Sequence, residues 1–249
     1  MTHVDHETVR RLERLHVRAW PATETARIDG WLWRCSGGGS QRANSVSTID
    51  FTGIDPAAAL DRVEARYRAK HMPSRLQTFD LSQPPGLAAL LAARGYDAGE
   101  TTLTLLAMAP PAAPPTGTAV ANDPSPEWLA VYLEAITESR RAVNQRILSR
   151  IPDPRAFITV YDGGQAISTA LGVVQGGCAV AECVATRDAA RGRRGAERAM
   201  RALLAWAASL GAHTVALQVV ADNRPALALY RRLGFAAIGA NRFWVKQQA

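Results

Sequence analysis

"RDAARGRRGAERAM", residues 187–200, carries five arginines in fourteen positions, with glycines at Gly192 and Gly195, and runs straight into an apolar helical pattern. Before it stands "AECVAT" (181–186), a β-rich run. After it, "AMRALLAWAASLGA" sets Met200, Leu203, Leu204, Ala207 and Leu210 on one helical face and ends at Gly211. A strand, a glycine-bearing loop and a helix in that order bring unpaired backbone N–H groups and the positive end of a helix dipole to one point. That arrangement favours a pyrophosphate, and arginines around it add bidentate donors. Read on its own, the loop leaves a solvated basic helix start open as the alternative.

Downstream, "HTVALQVV" (213–220) reads as a buried strand, "NRPALALYRRLGF" (223–235) as a short helix with a glycine end, and "ANRFWVK" (240–246) as a final strand. Upstream, residues 127–148 form a helical pattern with Trp128, Val131, Tyr132, Ala135 and Ile136 on one face. Three strand-like runs follow between 156 and 186, with hairpin turns at Asp162-Gly163-Gly164 and Gly176-Gly177. Proline-rich "APPAAPPTGTAVANDPSP" (109–126) disfavours both helix and central strand, so it reads as a linker between domains at 1–108 and 127–249.

The first half echoes the second. "GLAALLAARGY" (86–96) lies on "PALALYRRLGF" (225–235) at a constant offset of 139, each an apolar helix closed by Gly and an aromatic. "PAAALDRVEARYRAKH" is a helix candidate with Leu60, Val63 and Tyr67 at helical spacing, and "SRLQTFDL" is a strand candidate. A degenerate internal duplication is expected.

Composition narrows the class. The 249-residue chain is 47% hydrophobic, has formal net charge +7, and has only 6% aromatic residues. The charge favours anionic partners, but no interleaved basic and aromatic pattern suggests base stacking, which weighs against nucleic acid. No apolar run suits a membrane span, and the first twenty residues carry charges throughout without an apolar core. A cytoplasmic protein without a secretory leader is expected. Cys35, Cys178 and Cys183 form no metal-like spacing and read as small buried hydrophobes, so no metal is expected.

Both motifs together resemble the Gcn5-related N-acetyltransferase (GNAT) superfamily. Its cofactor loop reads Arg/Gln-x-x-Gly-x-Gly/Ala; a gapless alignment puts Arg191 first, Arg194 on the central glycine and Ala196 on the last position. Its second motif, Asn followed by Ala-x-x-Leu-Tyr and Leu-Gly-Phe, is matched by Asn223, Ala226, Leu229, Tyr230, Leu233, Gly234 and Phe235. The departure is Arg194, where glycine would let the backbone close on the pyrophosphate; glycine stands one position later, at Gly195, and a shifted loop could restore the approach. With "RAWPATETARIDGWLWRCSGGGSQRANSV" in the first half, the chain is similar to tandem members in which a degenerate GNAT-like domain precedes a cofactor-competent one.

The resemblance implies an α/β (α+β) fold: two GNAT-like domains, each a mixed, mostly antiparallel sheet flanked by helices. It implies direct transfer of acetyl from acetyl-CoA, as cosubstrate, to a primary amine. The acceptor stays open between a small-molecule amine and a peptide or protein amine, and the assembly between monomer and homodimer. Val184, Ala185 and Thr186 would hold the pantetheine arm and thioester, and Arg191, Gly192, Arg193, Arg194, Gly195 and Ala196 the pyrophosphate. Asn223 and Ala226 would lie on the cofactor side. Tyr230 would be the general acid, with a packing tyrosine as the alternative. Glu182, placed by strand alternation on the face of Val184, is the candidate base or else a salt-bridged strand residue. Arg42, Asn44 and Ser45, in a strand-like stretch, are candidates for the acceptor pocket or for a structural hydrogen-bond cluster. Trp31 and Trp33, alternating with Leu32, read as core or interface rather than substrate platforms. The position matching Tyr230 in the first half is Leu91, so that half should not bind acetyl-CoA the same way. A non-catalytic acyl-CoA-binding or regulatory protein is the alternative function, motivated by Arg194.

Overall fold

The computed structural model describes residues 5–247. The chain forms two compact units. One comprises the chain up to Leu103 together with Ala142–Arg150 and the segment from Ile238 onward; the other comprises Thr104–Arg141 and Ile151–Ala237.

The first unit opens with α1 (His6–Ala19), capped by the Asp5 carboxylate, which accepts from Thr8 N at 2.9 Å. There follow β1 (Glu24–Ile28), β2 (Trp31–Cys35), β3 (Val46–Ser47), α2 (Pro56–Arg68), β4 (Ser74–Phe79), α3 (Leu87–Ala93) and the first part of β5 (Asp97–Met108). A later strand, β11 (Ala236–Lys246), belongs here from Ile238 on and runs antiparallel to β4, from Asn241↔Phe79 to Lys246↔Ser74. The strand order is β1–β2–β3–β4–β11–β5. As expected, Trp31 and Trp33 are core, fully buried with Leu60, Val63, Tyr67 and Leu91. Arg42–Asn44, expected in a strand-like stretch, is a 3-10 turn. The Asn44 side chain accepts from Ser36 N and donates to Gly38 O and Ser40 O, a local network that competes with strand pairing.

In the second unit come β6 (Thr118–Ala121), α4 (Pro126–Glu134), the start of α5 (Glu138–Leu148), β7 (Arg155–Asp162), β8 (Gln165–Gln175), β9 (Cys178–Thr186), α6 (Gly195–Ser209), β10 (Thr214–Val220) and α7 (Arg224–Arg232). The order is β10–β9–β8–β7–β6. The two hairpins turn where expected, on Gly163-Gly164 and Gly176-Gly177, all four residues at positive φ as a type I′ turn demands. Two sequence readings change. The single helix over 127–148 is two helices, broken after Glu134, with Arg141 Nε capping Leu133 O at 2.9 Å. Within the proline-rich stretch, 118–121 form a strand paired with 157–160, between the prolines rather than on them.

The offset of 139 recurs between whole elements. α2 and α6 begin at 56 and 195, and β5 and β11 at 97 and 236, each pair 139 apart. The helix ends repeat as well. Gly234 N donates to Arg231 O and Phe235 N to Tyr230 O, while Gly95 N donates to Ala92 O and Tyr96 N to Leu91 O. Both are Schellman ends, in which glycine takes the left-handed conformation and the aromatic folds back on the helix.

Of the three cysteines, Cys35 and Cys178 are buried as expected, and Cys183 is half-buried. Among the described residues no helix is long and apolar enough to cross a membrane, and no group of three or more His, Cys, Asp or Glu side chains is placed to hold a metal ion.

Candidate functional site

The site lies where β9 and β10 part. Their parallel ladder runs from Thr214↔Cys178 to Leu217↔Ala181 and ends there, while β9 continues to Thr186. Among the described residues, Val184, Ala185 and Thr186 therefore face no strand on the β10 side, and all three are half-buried. Along its other edge β9 stays paired with β8 through a bulge. Leu171 pairs with Glu182 and Thr169 with Ala185, so Cys183 and Val184 oppose Ala170 alone. Cys183 takes the left-handed conformation, φ 52°.

Three neighbours hold the bulge. Thr169 Oγ1 donates to Cys183 O (3.2 Å), Ser168 Oγ donates to Ala185 O (2.6 Å), and the indole of fully buried Trp128 donates to Ala170 O (3.1 Å). Trp128 itself is braced edge-on by Phe157, ring centres 5.0 Å apart. The extra residue also resets the alternation. Paired residues point to one side of a sheet, so Glu182 shares its face with Ala185, not with Val184 as strict alternation predicts. No sequence signal marked the bulge, because Cys183 is neither glycine nor asparagine.

The arginine loop leaves β9 at Arg187, whose Nε donates to Ala166 O and whose guanidinium pairs with Glu134. One 3-10 turn, Asp188–Ala190, leads to α6, and Arg198 N is the first backbone donor to bond into the helix, to Arg194 O at 3.0 Å. The N–H groups of Gly195, Ala196 and Glu197 are thus the open first turn. Arg194 is the N-cap in the left-handed conformation, φ 56° and ψ 23°. The loop has not slipped by one residue: Arg194 adopts the glycine conformation itself, and Gly195 is the first helical residue. What Gly195 supplies is room. A Cβ there would come within 2.9 Å of Ser168 Cβ. Arg191 and Arg193 are exposed and pair with Asp188 (2.7 Å) and Asp162 (3.5 Å). These open donors, ringed by arginines beside the parted strands, suit a ligand with a diphosphate and an extended amide-bearing arm.

Tyr230, on α7, is 7% exposed and Glu182 is 6% exposed. Burial, and after it the Glu182 charge, push the phenol up to about 12. The second unit thus brings phenol and carboxylate together on its own. Asn223 caps α7, its Oδ1 accepting from Ala226 N at 3.2 Å, so its side chain is committed to the helix start. Arg42, Asn44 and Ser45 lie in the first unit. Arg42 stacks over Trp20 at 5.0 Å; Ser45 accepts from the buried Arg34 through both its carbonyl and its hydroxyl.

Fold and site define an acetyltransferase of the GNAT type. The chain belongs to the family described as "Probable histone acetyltransferase Rv0428c C-terminal", which matches residues 7–244, and so to the GNAT superfamily. It is 27% identical over 253 residues to an uncharacterized N-acetyltransferase, YobR, of Bacillus subtilis, covering 97% of this chain and all of that one. Among solved structures, a GCN5-related N-acetyltransferase from Kribbella flavida shares the fold with TM-score 0.69 at 16% identity, covering 96% of both chains. A tandem GNAT protein from the clavulanic acid biosynthesis pathway does so with TM-score 0.61 at 14% identity, over 99% of this chain and 96% of that one.

Proposed function

We propose that the protein transfers an acetyl group from acetyl-CoA to a primary amine, with the chemistry confined to the second unit. The observation that carries this reading is the buried Tyr230–Glu182 pair on the elements that flank the parting of β9 and β10. Bound acetyl-CoA would supply the activated acyl carbon. Val184, Ala185 and Thr186 offer backbone groups to an extended arm, and the first turn of α6 with Arg191, Gly192, Arg193 and Arg194 takes the diphosphate. Glu182 accepts the proton that an ammonium must lose before its nitrogen can attack. Tyr230 holds a proton at its hydroxyl for the departing sulfur as the carbon–sulfur bond breaks.

The first unit supports a tandem arrangement with one active half. Through the offset of 139, Leu91 stands where Tyr230 does. The parallel ladder Val46↔Leu76 corresponds to Ala179↔Val215, so Ile49 stands where Glu182 does. The β3–β4 ladder of the first unit ends at Ser47↔Gln77, and beyond it Thr48 Oγ1 donates to Gln77 O (2.8 Å) while Gln83 N donates to Thr48 O (3.0 Å).

Purified protein incubated with acetyl-CoA and a panel of small and peptidyl amines, followed by thiol release and by calorimetry, tests the reading. Acetyl-CoA binding with turnover of at least one amine is expected. No binding would sink it. Tight binding without turnover of any amine would favour a non-catalytic acyl-CoA-binding protein, the reading that Arg194 at the glycine position motivates.

A further inference from the structure

We infer that the first unit carries a binding pocket for a small organic anion, formed by α1, the turn between β1 and β2, and the end of β3. The hollow holds about 60 Å3 and is lined by Arg14, Arg18, Arg27 and Asp50 together with the apolar Val17, Leu32 and Ile49. At about 10–15 Å3 per water-sized centre, it takes roughly four to six such groups, the size of a carboxylate with a short carbon stem or of a phosphate.

Its charge selects the sign of the ligand. Asp50 is already spent: Oδ1 accepts from Arg14 Nη2 at 2.8 Å and Oδ2 from Arg14 Nε at 3.3 Å. Arg14 Nη1 reaches Glu7 at 3.2 Å, so all three nitrogens of Arg14 are engaged by carboxylates. The hydrogen bonds from Arg14 hold the Asp50 carboxyl below the usual carboxylate range, and the fields of Arg27 and Arg10 push the same way. Two cations then remain. Arg27 commits only Nη1, to Gly30 O at 2.7 Å, and Arg18 makes no hydrogen bond or ion pair among the described residues. A cation would find the one carboxylate occupied, whereas an anion finds two guanidinium groups with donors to give.

The position in the fold points the same way. Ile49 is the counterpart of Glu182, so the hollow opens at the strand end where the second unit has its carboxylate. Here that carboxylate is replaced by an apolar wall, and α1 and β1 supply arginines.

Calorimetric titration of the full chain with inorganic phosphate and with butyrate tests this in a buffer without other multivalent anions. The two arms separate a phosphate-bearing from a carboxylate-bearing ligand. Binding of at least one is expected, weakened about tenfold or more in Arg18→Gln/Arg27→Gln, since both charge-assisted contacts are removed. The phosphate arm is run in the Arg191→Gln/Arg193→Gln background, which weakens the second unit's diphosphate loop as a competing site, and the first unit's binding should persist there. Asp50→Asn, which removes the competing carboxylate, should tighten binding several-fold and keeps the test open if the double variant does not fold. The inference is overturned if neither anion binds, if binding survives in Arg18→Gln/Arg27→Gln, or if the loop variant abolishes it.

Discussion

The Glu182 carboxylate and the Tyr230 phenol share one buried environment, and the charge of the first adds to burial in keeping the second protonated. A phenol raised to about 12 keeps its proton throughout the physiological range, so it holds a proton to give and cannot serve as the base. Tyr230→Phe keeps the ring that meets Phe235 at 5.7 Å and removes only the proton. Turnover should fall about 10²- to 10⁴-fold, the usual reach of general acid catalysis. Acetyl-CoA affinity measured by calorimetry should change little.

Arg194 takes the left-handed conformation at the N-cap of α6, where a Cβ costs about 1–2 kcal/mol. Arg194→Gly removes that cost but gives the unfolded chain more freedom to lose, about 0.4–1 kcal/mol. A net gain of about 0.5–1 kcal/mol is expected by urea unfolding. Arg194→Ala, which keeps the Cβ, should gain nothing.

Gly195 is held to glycine by contact, not by its backbone angles. In Gly195→Ala the added methyl meets Ser168 Cβ at 2.9 Å, and the two elements must separate. Destabilisation of about 1–3 kcal/mol is expected. Ser168→Gly in the same chain should recover part of it, since it removes the atom in the way.

Tyr67, Tyr96 and Tyr230 are all raised above the ordinary tyrosine value, chiefly by burial. Unfolded, each ionises near 10. The sign follows: a raised pKa contributes stability fully present below about pH 10 and lost as pH rises through the folded-state value. The melting temperature should hold steady between about pH 7 and 9 and fall steeply above about pH 10. Tyr230→Phe should lessen that fall.

The features legible in the sequence were those with short-range causes. Paired glycines fixed the hairpins at 163–164 and 176–177, and the Gly-Phe and Gly-Tyr endings fixed two Schellman ends 139 residues apart. Strands β9 and β10 and helices α6 and α7 followed from apolar spacing, whereas Tyr230 stands out only through the resemblance of 223–235 to the GNAT motif, and Glu182 through its place on the strand that the resemblance assigns to the cofactor. The bulge at Cys183 was not legible, since it depends on Thr169, Ser168 and Trp128, which come from other elements. For the same reason alternation put Glu182 beside the wrong neighbour. The break after Glu134 was hidden because Arg141, which caps it, also belongs to a regular helical pattern. The strand at 118–121 was hidden by the prolines on either side.

The path of β11 has a consequence for the gene. β11, which follows the whole second unit in the sequence, completes the sheet beside β4. During synthesis the first unit must wait with an open strand edge until β11 has left the ribosome. A nonsense mutation just upstream of Ile238 would leave the first unit with that edge exposed and prone to aggregation, although every residue up to Leu103 had been read correctly.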